Sequence, residues 1–240
     1  MVDRPRPAVL LAGDSTVAAM PADETPMSGW GAHLGAVLNT LVTVRLLSAG
    51  LPTDVVPVLN VAKGGASTAS HREEHLWEAL LAESLPGDIV LIQFGHNDSK
   101  RDDLAAHDGF RTHLTSMVDD AHAKGLHPVL VTPAARRRFV HGEPVDTHGD
   151  YPMVTRQLAD DLHCDLIDVN LTTGELHRSL GETASRGLYV QYAPGDHPLY
   201  PDGIVDDTHY RFAGAVEVAR LVARVLVDIV VPLLRASHAS

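Results

Sequence analysis

The sequence predicts a three-layer α/β/α fold with a doubly wound, flavodoxin-like parallel sheet, formed as a single domain over residues 1–240. Three observations predict it. Short apolar runs alternate with longer amphipathic segments, the apolar runs are continuous, and no linker, repeat or low-complexity stretch divides the 240 residues. Continuous apolar strands are typical of a parallel sheet covered on both faces, and right-handed crossovers then place the helices in two layers.

The individual elements follow from the spacing of apolar residues. Strands are predicted at five short apolar runs, at residues 8–12, 55–61, 88–94, 128–132 and 165–169. Helices are predicted where apolar residues recur at helical spacing, near residues 31–47, 68–83, 109–124 and 151–162, with a last helix after His209. Residues 136–149 and 187–206 lack either pattern, and we expect them to be binding loops because they follow strand ends.

Composition and charge exclude several classes of function. The 31 acidic and 19 basic residues give a formal net charge of −12, which would repel a nucleic acid, and Arg136, Arg137 and Arg138 are interpreted as a solvated loop. No apolar run approaches the ~20 residues that a membrane span needs. Cys164 is the single cysteine and is interpreted as a buried structural thiol. With no signal-peptide pattern at the start of the chain, a cytoplasmic location is expected.

Two motifs follow the first two predicted strands. Gly13–Asp14–Ser15–Thr16 places a serine hydroxyl at a strand end, where it is either an exposed nucleophile or a turn or N-cap residue. The segment 60–67 contains Gly64 and Gly65, which let backbone N–H groups approach a ligand or simply form a strand-to-helix turn capped by Ser67.

Two further motifs complete the set. Phe94–Gly95–His96–Asn97–Asp98 ends the third strand, and Asn97 either donates its amide to a developing oxyanion or forms a turn. Asp206–Asp207–Thr208–His209 is expected to open the last helix, where residues three apart are neighbours. Asp206 would then reach the ring of His209 and hold one tautomer, which is the orienting half of a serine triad.

These four motifs occur in order, each at a strand end or helix start, and together the set resembles the GDSL, or SGNH, hydrolase superfamily. The resemblance runs from Val9 to about Ala215, and the motifs, with the segment 29–31, look like the rhamnogalacturonan acetylesterase branch. It implies Ser15 as nucleophile, His209 as general base and Asp206 as its orienting carboxylate. It also implies an oxyanion hole formed by the backbone N–H groups of Ser15 and Gly65 and by the Asn97 side chain.

The expected substrate is a small ester, with an acetylated oligosaccharide favoured, and the expected reaction is acyl transfer to Ser15 followed by hydrolysis. No cofactor and no metal are expected, nor a nucleic-acid or membrane partner; the oligomeric state is open. Five side chains near the site are candidates for substrate contact because aromatic faces stack on sugars and histidines bind hydroxyls: Trp30, His96, Tyr192, His197 and Tyr200.

The sequence also offers three rival interpretations. His71 and His75 in His-Arg-Glu-Glu-His match the spacing of a zinc hydrolase motif, although a surface helix rich in histidine gives the same pattern. An α/β-hydrolase is rejected, because the run at 65–69 lacks the final glycine of the nucleophile elbow. A non-catalytic carbohydrate-binding module is the third alternative, and the joint presence of Ser15, Asp206 and His209 argues against it.

Overall fold

The computed structural model describes residues 7–21 and 25–238, and a five-stranded parallel sheet forms its centre. Its strands are β1 (Val9–Gly13), β2 (Val58–Asn60), β3 (Ile89–Gln93), β4 (His127–Val131) and β7 (Asp165–Ile167), in the order β2-β1-β3-β4-β7. Every neighbouring pair is parallel, as in the pairs Leu11↔Leu91 and Leu91↔Val129. Counting the sheet strands alone, this is the flavodoxin-like order 2-1-3-4-5, which confirms the predicted fold class.

The helices lie on both faces of the sheet. They are α1 (Gly31–Ser48), α2 (Thr68–Glu73), α3 (Leu76–Glu83), α4 (Arg111–Ala123), α5 (Tyr151–Asp161), α6 (Val169–Ala184) and α7 (Phe212–His238). Two small antiparallel hairpins stand outside the sheet: β5 (Phe139–Val140) with β6 (Glu143–Pro144), and β8 (Tyr189–Tyr192) with β9 (Ile204–Tyr210).

Alternate residues of the strands fill two separate cores. In β1, Val9 and Leu11 join the cluster formed with α1 and α7, whereas Leu10 and Ala12 join the cluster formed with α3, α4 and α5. All five residues of β1 and of β3 are buried. Burial on both faces explains why these strands are continuously apolar in the sequence. Among the described residues no helix is both long enough and apolar enough to span a membrane.

Two predicted elements differ from the structure, and one helix was missed. The predicted helix at 68–83 is broken, because His75 adopts a left-handed conformation (φ 59°) between α2 and α3. The second strand is only three residues long, Val58–Asn60. The helix α6 was not predicted; its mixed sequence buries only a narrow face, Val169, Thr173 and His177, so its apolar pattern is weak.

The two irregular stretches carry the short hairpins. The segment 136–149 contains β5 and β6, and the segment 187–206 contains β8 and the start of β9. Short, partly polar strands at the edge of a molecule leave little hydrophobic periodicity, so the sequence marked them only as loops.

Candidate active site

Ser15, Asp206 and His209 lie together at the carboxyl edge of the sheet. Ser15 lies two residues after the end of β1 and is 9% exposed. The Nε2 atom of His209 lies 3.0 Å from Ser15 Oγ, and Nδ1 of the same ring lies 2.7 Å from Asp206 Oδ2. The serine hydroxyl therefore donates to His209, and His209 donates its other ring N–H to the carboxylate of Asp206.

The segment that carries Asp206 and His209 is a bulge in β9 and not the first turn of a helix, so that prediction was wrong. In the β8–β9 ladder Gln191 pairs with Val205 and Tyr189 with Tyr210, which leaves residues 206–209 opposite a single residue. The last helix begins only at Phe212. The three-residue spacing still brings the two side chains together, because Asp206 Oδ1 accepts the backbone N–H groups of Thr208 and His209, each at 2.8 Å.

These bonds also set the charge of Asp206. Burial raises the pKa of this carboxyl, but the bonds from His209 and from two backbone N–H groups outweigh burial and leave the pKa below its ordinary value. Asp206 is thus ionised at neutral pH, as an acceptor for His209 Nδ1 must be. Asp207 plays no such part, since its carboxylate binds Arg137 and Gln191 instead.

Gly65 and Asn97 line one cavity of about 280 Å³ together with Ser67, Ser70, Lys100 and Arg101. Gly65 has φ 77°, a conformation that an L side chain rarely adopts, so glycine suits this turn. Asn97 Nδ2 donates to the Ala66 carbonyl at 3.0 Å, and Asn97 Oδ1 accepts from Lys100 Nζ at 2.8 Å. Because Lys100 binds Asn97 Oδ1, the NH₂ group of the Asn97 side chain faces the loop of Gly65. One N–H of that NH₂ group binds Ala66, and the other remains to donate a hydrogen bond to an oxyanion.

Asp98 joins the two loops that carry Gly65 and Asn97. Its Oδ1 atom accepts from Thr68 N at 2.9 Å and from Thr68 Oγ1 at 2.6 Å, and its Oδ2 atom accepts from Gly95 N at 3.0 Å. Burial raises the pKa of Asp98 despite these bonds. The turn that precedes α2 and the turn that follows β3 are therefore held by one buried side chain.

His96 does not face a substrate, and the prediction that it contacts one was wrong. The ring is 3% exposed, with Nδ1 2.9 Å from Asp14 Oδ2 and Nε2 3.0 Å from the Ala134 carbonyl. Asp14 is 0% exposed, and its Oδ1 atom accepts the backbone N–H and the hydroxyl of Thr16. Burial raises the pKa of Asp14, but the charge and hydrogen bond of His96 and the bonds from Thr16 leave it lowered. This pair therefore fixes the turn that carries Ser15.

Trp30 is likewise buried (0% exposed), so it offers no face to a sugar, and its prediction as a substrate contact was wrong. Its Nε1 atom donates to Gln93 Oε1 at 3.1 Å, and Gln93 Nε2 donates to Thr16 Oγ1 at 2.6 Å. A Cβ on neighbouring Gly31 would lie 2.4 Å from the Val17 carbonyl, so the start of α1 packs directly on the loop that carries Ser15. Trp30 therefore helps to hold the loop of Ser15 through its hydrogen bonds by way of Gln93 and Thr16.

The remaining aromatic candidates form a cluster at the tip of the β8–β9 hairpin. Tyr192 and Tyr200 stack with their ring centroids 6.2 Å apart, and His197 lies 4.7 Å from the Tyr192 ring and 5.6 Å from the Tyr200 ring. All three are partly exposed, so ring faces remain for a ligand. Their contact with substrate stays a prediction.

His71 and His75 do not share a helix face. His71 is buried with Nε2 3.1 Å from the Val61 carbonyl, and burial lowers its pKa to about 4. His75 is exposed and sits at the break between α2 and α3. Across residues 7–21 and 25–238 no group of three or more histidine, cysteine, aspartate or glutamate side chains is arranged to hold a metal ion.

Sequence reasoning missed several residues that build the site, namely Asp14, Gln93, Asp98 and Arg137. Asp14 and Asp98 stand inside the motifs, and their polar character at buried strand ends was the available signal. Nothing in the sequence pairs Arg137 with Asp207, which is 70 positions away.

The chain is similar to known proteins over most of its length. The chain matches the GDSL-like lipase/acylhydrolase family over residues 11–214. It is 42% identical to the rhamnogalacturonan acetylesterase RhgT of Bacillus subtilis over 94% of this chain and 91% of RhgT. It is 30% identical to the probable rhamnogalacturonan acetylesterase YesY of the same organism, over 94% of each chain.

Two solved structures share the fold. The structure of YxiM from Bacillus subtilis superposes with a TM-score of 0.68 at 26% identity, over 90% of this chain but only 55% of that chain. Axe2, an acetylxylan esterase from Geobacillus stearothermophilus, superposes with a TM-score of 0.61 at 17% identity, over 93% of each chain. The match over residues 11–214 and the identity to RhgT confirm the resemblance seen in the motifs: this chain belongs to the GDSL-like lipase/acylhydrolase family.

Proposed function

We propose that this protein is a serine esterase that removes acetyl groups from a carbohydrate through an acyl-enzyme intermediate on Ser15. The observation that carries the proposal is the continuous hydrogen-bonded series from Ser15 Oγ to His209 Nε2 (3.0 Å) and from His209 Nδ1 to Asp206 Oδ2 (2.7 Å). A hydroxyl is a weak nucleophile, and a neighbouring base held in one tautomer is the arrangement that activates it.

In the first half of the reaction, His209 removes the proton of Ser15 as Oγ attacks the ester carbonyl. The carbonyl oxygen becomes an oxyanion in a tetrahedral intermediate. The C–O bond to the sugar then breaks, and His209 returns its proton to the leaving sugar oxygen. Asp206, ionised and bonded to Nδ1, stabilises the imidazolium that exists between these two proton transfers.

In the second half, water attacks the acetyl-serine, with His209 as general base, and the acetate leaves while Ser15 recovers its proton. The His209 side chain is 30% exposed, so water can reach the ring. The backbone N–H groups of Ser15 and Gly65 and the Asn97 amide would hold the oxyanion in both halves. Support for this role comes from the cavity that Gly65 and Asn97 share.

The relatives support a carbohydrate ester as the substrate class. RhgT is named a rhamnogalacturonan acetylesterase, and Axe2 is named an acetylxylan esterase. Three Axe2 structures are described as catalytic mutants in which a serine, an aspartate or a histidine is replaced by alanine. The same three residue types meet in this chain.

The first experiment compares hydrolysis of p-nitrophenyl acetate, butyrate and octanoate by the wild type, Ser15→Ala and His209→Ala, with and without a chelator. We expect acetate to be cleaved fastest, chelator to have no effect, and both variants to lose nearly all activity while their circular dichroism spectra match the wild type. Activity within a few-fold of wild type in either folded variant would refute the triad. Activity that survives loss of Ser15 but not chelation would favour the zinc hydrolase.

The second experiment identifies the carbohydrate. Acetate release from acetylated rhamnogalacturonan oligosaccharides and from acetylated xylooligosaccharides is measured for the wild type and for Ser15→Ala. Binding of either oligosaccharide with no acetate release by the wild type would favour the carbohydrate-binding module.

A cytoplasmic location is part of the same proposal. The single cysteine supports it, since extracellular proteins more often carry disulfides. Burial raises the pKa of Cys164 to about 11, so this half-buried thiol is not ionised at neutral pH. Fractionation of cells that make the protein naturally tests the location, and activity found mainly in the medium would refute it.

A further inference from the structure

The catalytic bulge, residues 206–209, interrupts the residue-by-residue pairing of β9 with β8. Its neighbours Val205 and Tyr210 are paired with β8, but the four residues between them stand opposite Val190 alone. The bonds of Asp206 to Thr208 and His209 fix the internal shape of the bulge and do not attach it to the body of the protein. Asp207 supplies an attachment.

Asp207 is bound twice by Arg137, a residue from the loop after β4. The Arg137 backbone N–H donates to the Asp207 carbonyl at 2.8 Å, and Arg137 Nη1 donates to Asp207 Oδ1 at 2.8 Å. Gln191 of β8 donates to the same carboxylate oxygen. The residue that stands directly after Asp206 is therefore fastened through both its backbone and its side chain.

Arg137 is itself held rigidly. It is 6% exposed, its Nε donates to the buried Ser185 Oγ at 3.0 Å, and its Nη2 donates to the Glu182 carbonyl. The guanidinium also lies 5.3 Å from the centre of the Phe139 ring. Nε, Nη1 and Nη2 each donate a hydrogen bond, and the planar guanidinium keeps these three donors in a fixed arrangement, which makes Arg137 a rigid anchor.

We propose that Arg137 and Asp207 are positioning residues that hold the catalytic bulge so that His209 meets Ser15 in reactive geometry. Neither touches Ser15 or His209, so their effect passes through the bulge. The proposal rests on the proposed function, and it distinguishes Asp207 from Asp206: one carboxylate anchors the segment and the other orients the histidine. A shift of about 1 Å in a catalytic group lowers the rate by about 10²-fold, so loosening this anchor has a measurable effect.

The test uses the chemistry of the leaving group. A p-nitrophenolate leaves without protonation, whereas a sugar alkoxide needs the proton that His209 returns. We therefore measure kcat and KM for p-nitrophenyl acetate and for an acetylated oligosaccharide with Arg137→Met, Arg137→Lys and Asp207→Asn. Arg138→Met is the matched control, because Arg138 is adjacent in sequence and exposed.

For Arg137→Met we expect kcat on the sugar ester to fall about ten- to a hundredfold with KM within about twofold of wild type. The loss on p-nitrophenyl acetate should be several-fold smaller, so the ratio of the two rates changes. Arg137→Lys should recover part of the loss, and Arg138→Met should behave as wild type. Combining Arg137→Met with Asp207→Asn should cost less than the product of the single effects, since both changes break one contact.

Equal losses on both esters, or an unchanged rate on both, would overturn the proposal, because a merely structural defect scales all activity alike. If Arg137→Met does not fold, the test rests on Arg137→Lys and Asp207→Asn. A wild-type ratio of the rates on the two esters in both variants then overturns the proposal. Ester hydrolysis that persists in Ser15→Ala would instead refute the proposed function.

Discussion

Replacing His96 by leucine should destabilise the protein strongly, although His96 lies outside the catalytic contacts. The change leaves the Asp14 carboxylate, which is 0% exposed, without the contact that His96 Nδ1 makes with it at 2.9 Å. Removing the partner of a buried charge costs about 3–5 kcal/mol. The lower end applies here, about 3 kcal/mol, because Asp14 keeps the two bonds from Thr16.

The deficit should depend on pH with a definite sign. In the wild type the pKa of Asp14 is lowered, so the stability it contributes is present above about pH 4 and is lost as the pH falls through the folded value. Without His96, burial dominates and raises the pKa of Asp14. Asp14 of the variant is therefore protonated when the solution is acidified, and a neutral carboxyl is less costly to bury. The difference in unfolding free energy between wild type and His96→Leu should therefore be larger at pH 7 than near pH 4.

The assay is urea and thermal unfolding followed by circular dichroism. About 3 kcal/mol corresponds to a fall in Tm of about 6–12 °C for a chain of this size. The double variant Asp14→Asn/His96→Leu should be more stable than His96→Leu alone, because the amide keeps the acceptor for Thr16 and removes the buried charge. A His96→Leu deficit below about 1 kcal/mol, or a double variant that is the less stable of the two, would refute the reasoning.

Three further outcomes are expected. Asn97→Ala should lower kcat by about 10²–10³ with little change in KM, and an unchanged kcat would remove Asn97 from the oxyanion hole. Asp206→Asn should lower kcat by about 10⁴, far more than Asp207→Asn, and the reverse order in steady-state kinetics would reassign the orienting carboxylate. Trp30→Phe should cost about 1–3 kcal/mol of stability by leaving the buried Gln93 oxygen unpaired, while KM stays the same; a raised KM with unchanged Tm would restore Trp30 as a substrate contact.

The order of strands and helices along the chain was predictable from the sequence, because strands that are buried on both faces of the sheet are continuously apolar. The apolar runs at β1, β3 and β4 are continuous, and their alternation with helices leaves few topologies. The three-residue spacing of Asp206 and His209 was also visible, although the reason given for it, a helical turn, was wrong. In the bulged strand, the Asp206 side chain accepts hydrogen bonds from the backbone N–H groups of Thr208 and His209, and these bonds bring Asp206 close to His209.

The sequence by itself determined the fold class and the residue types that meet at the sheet edge, since both depend on local periodicity and on parallel strands ending at one side. Tertiary structure alone decided which polar residues face solvent. Trp30 and His96 looked like ligand contacts and are buried supports of Ser15, while Arg137, in a run interpreted as a solvated loop, is buried and anchors the bulge. A side chain's burial is set by what packs on it from distant parts of the chain, and no local pattern records that partner.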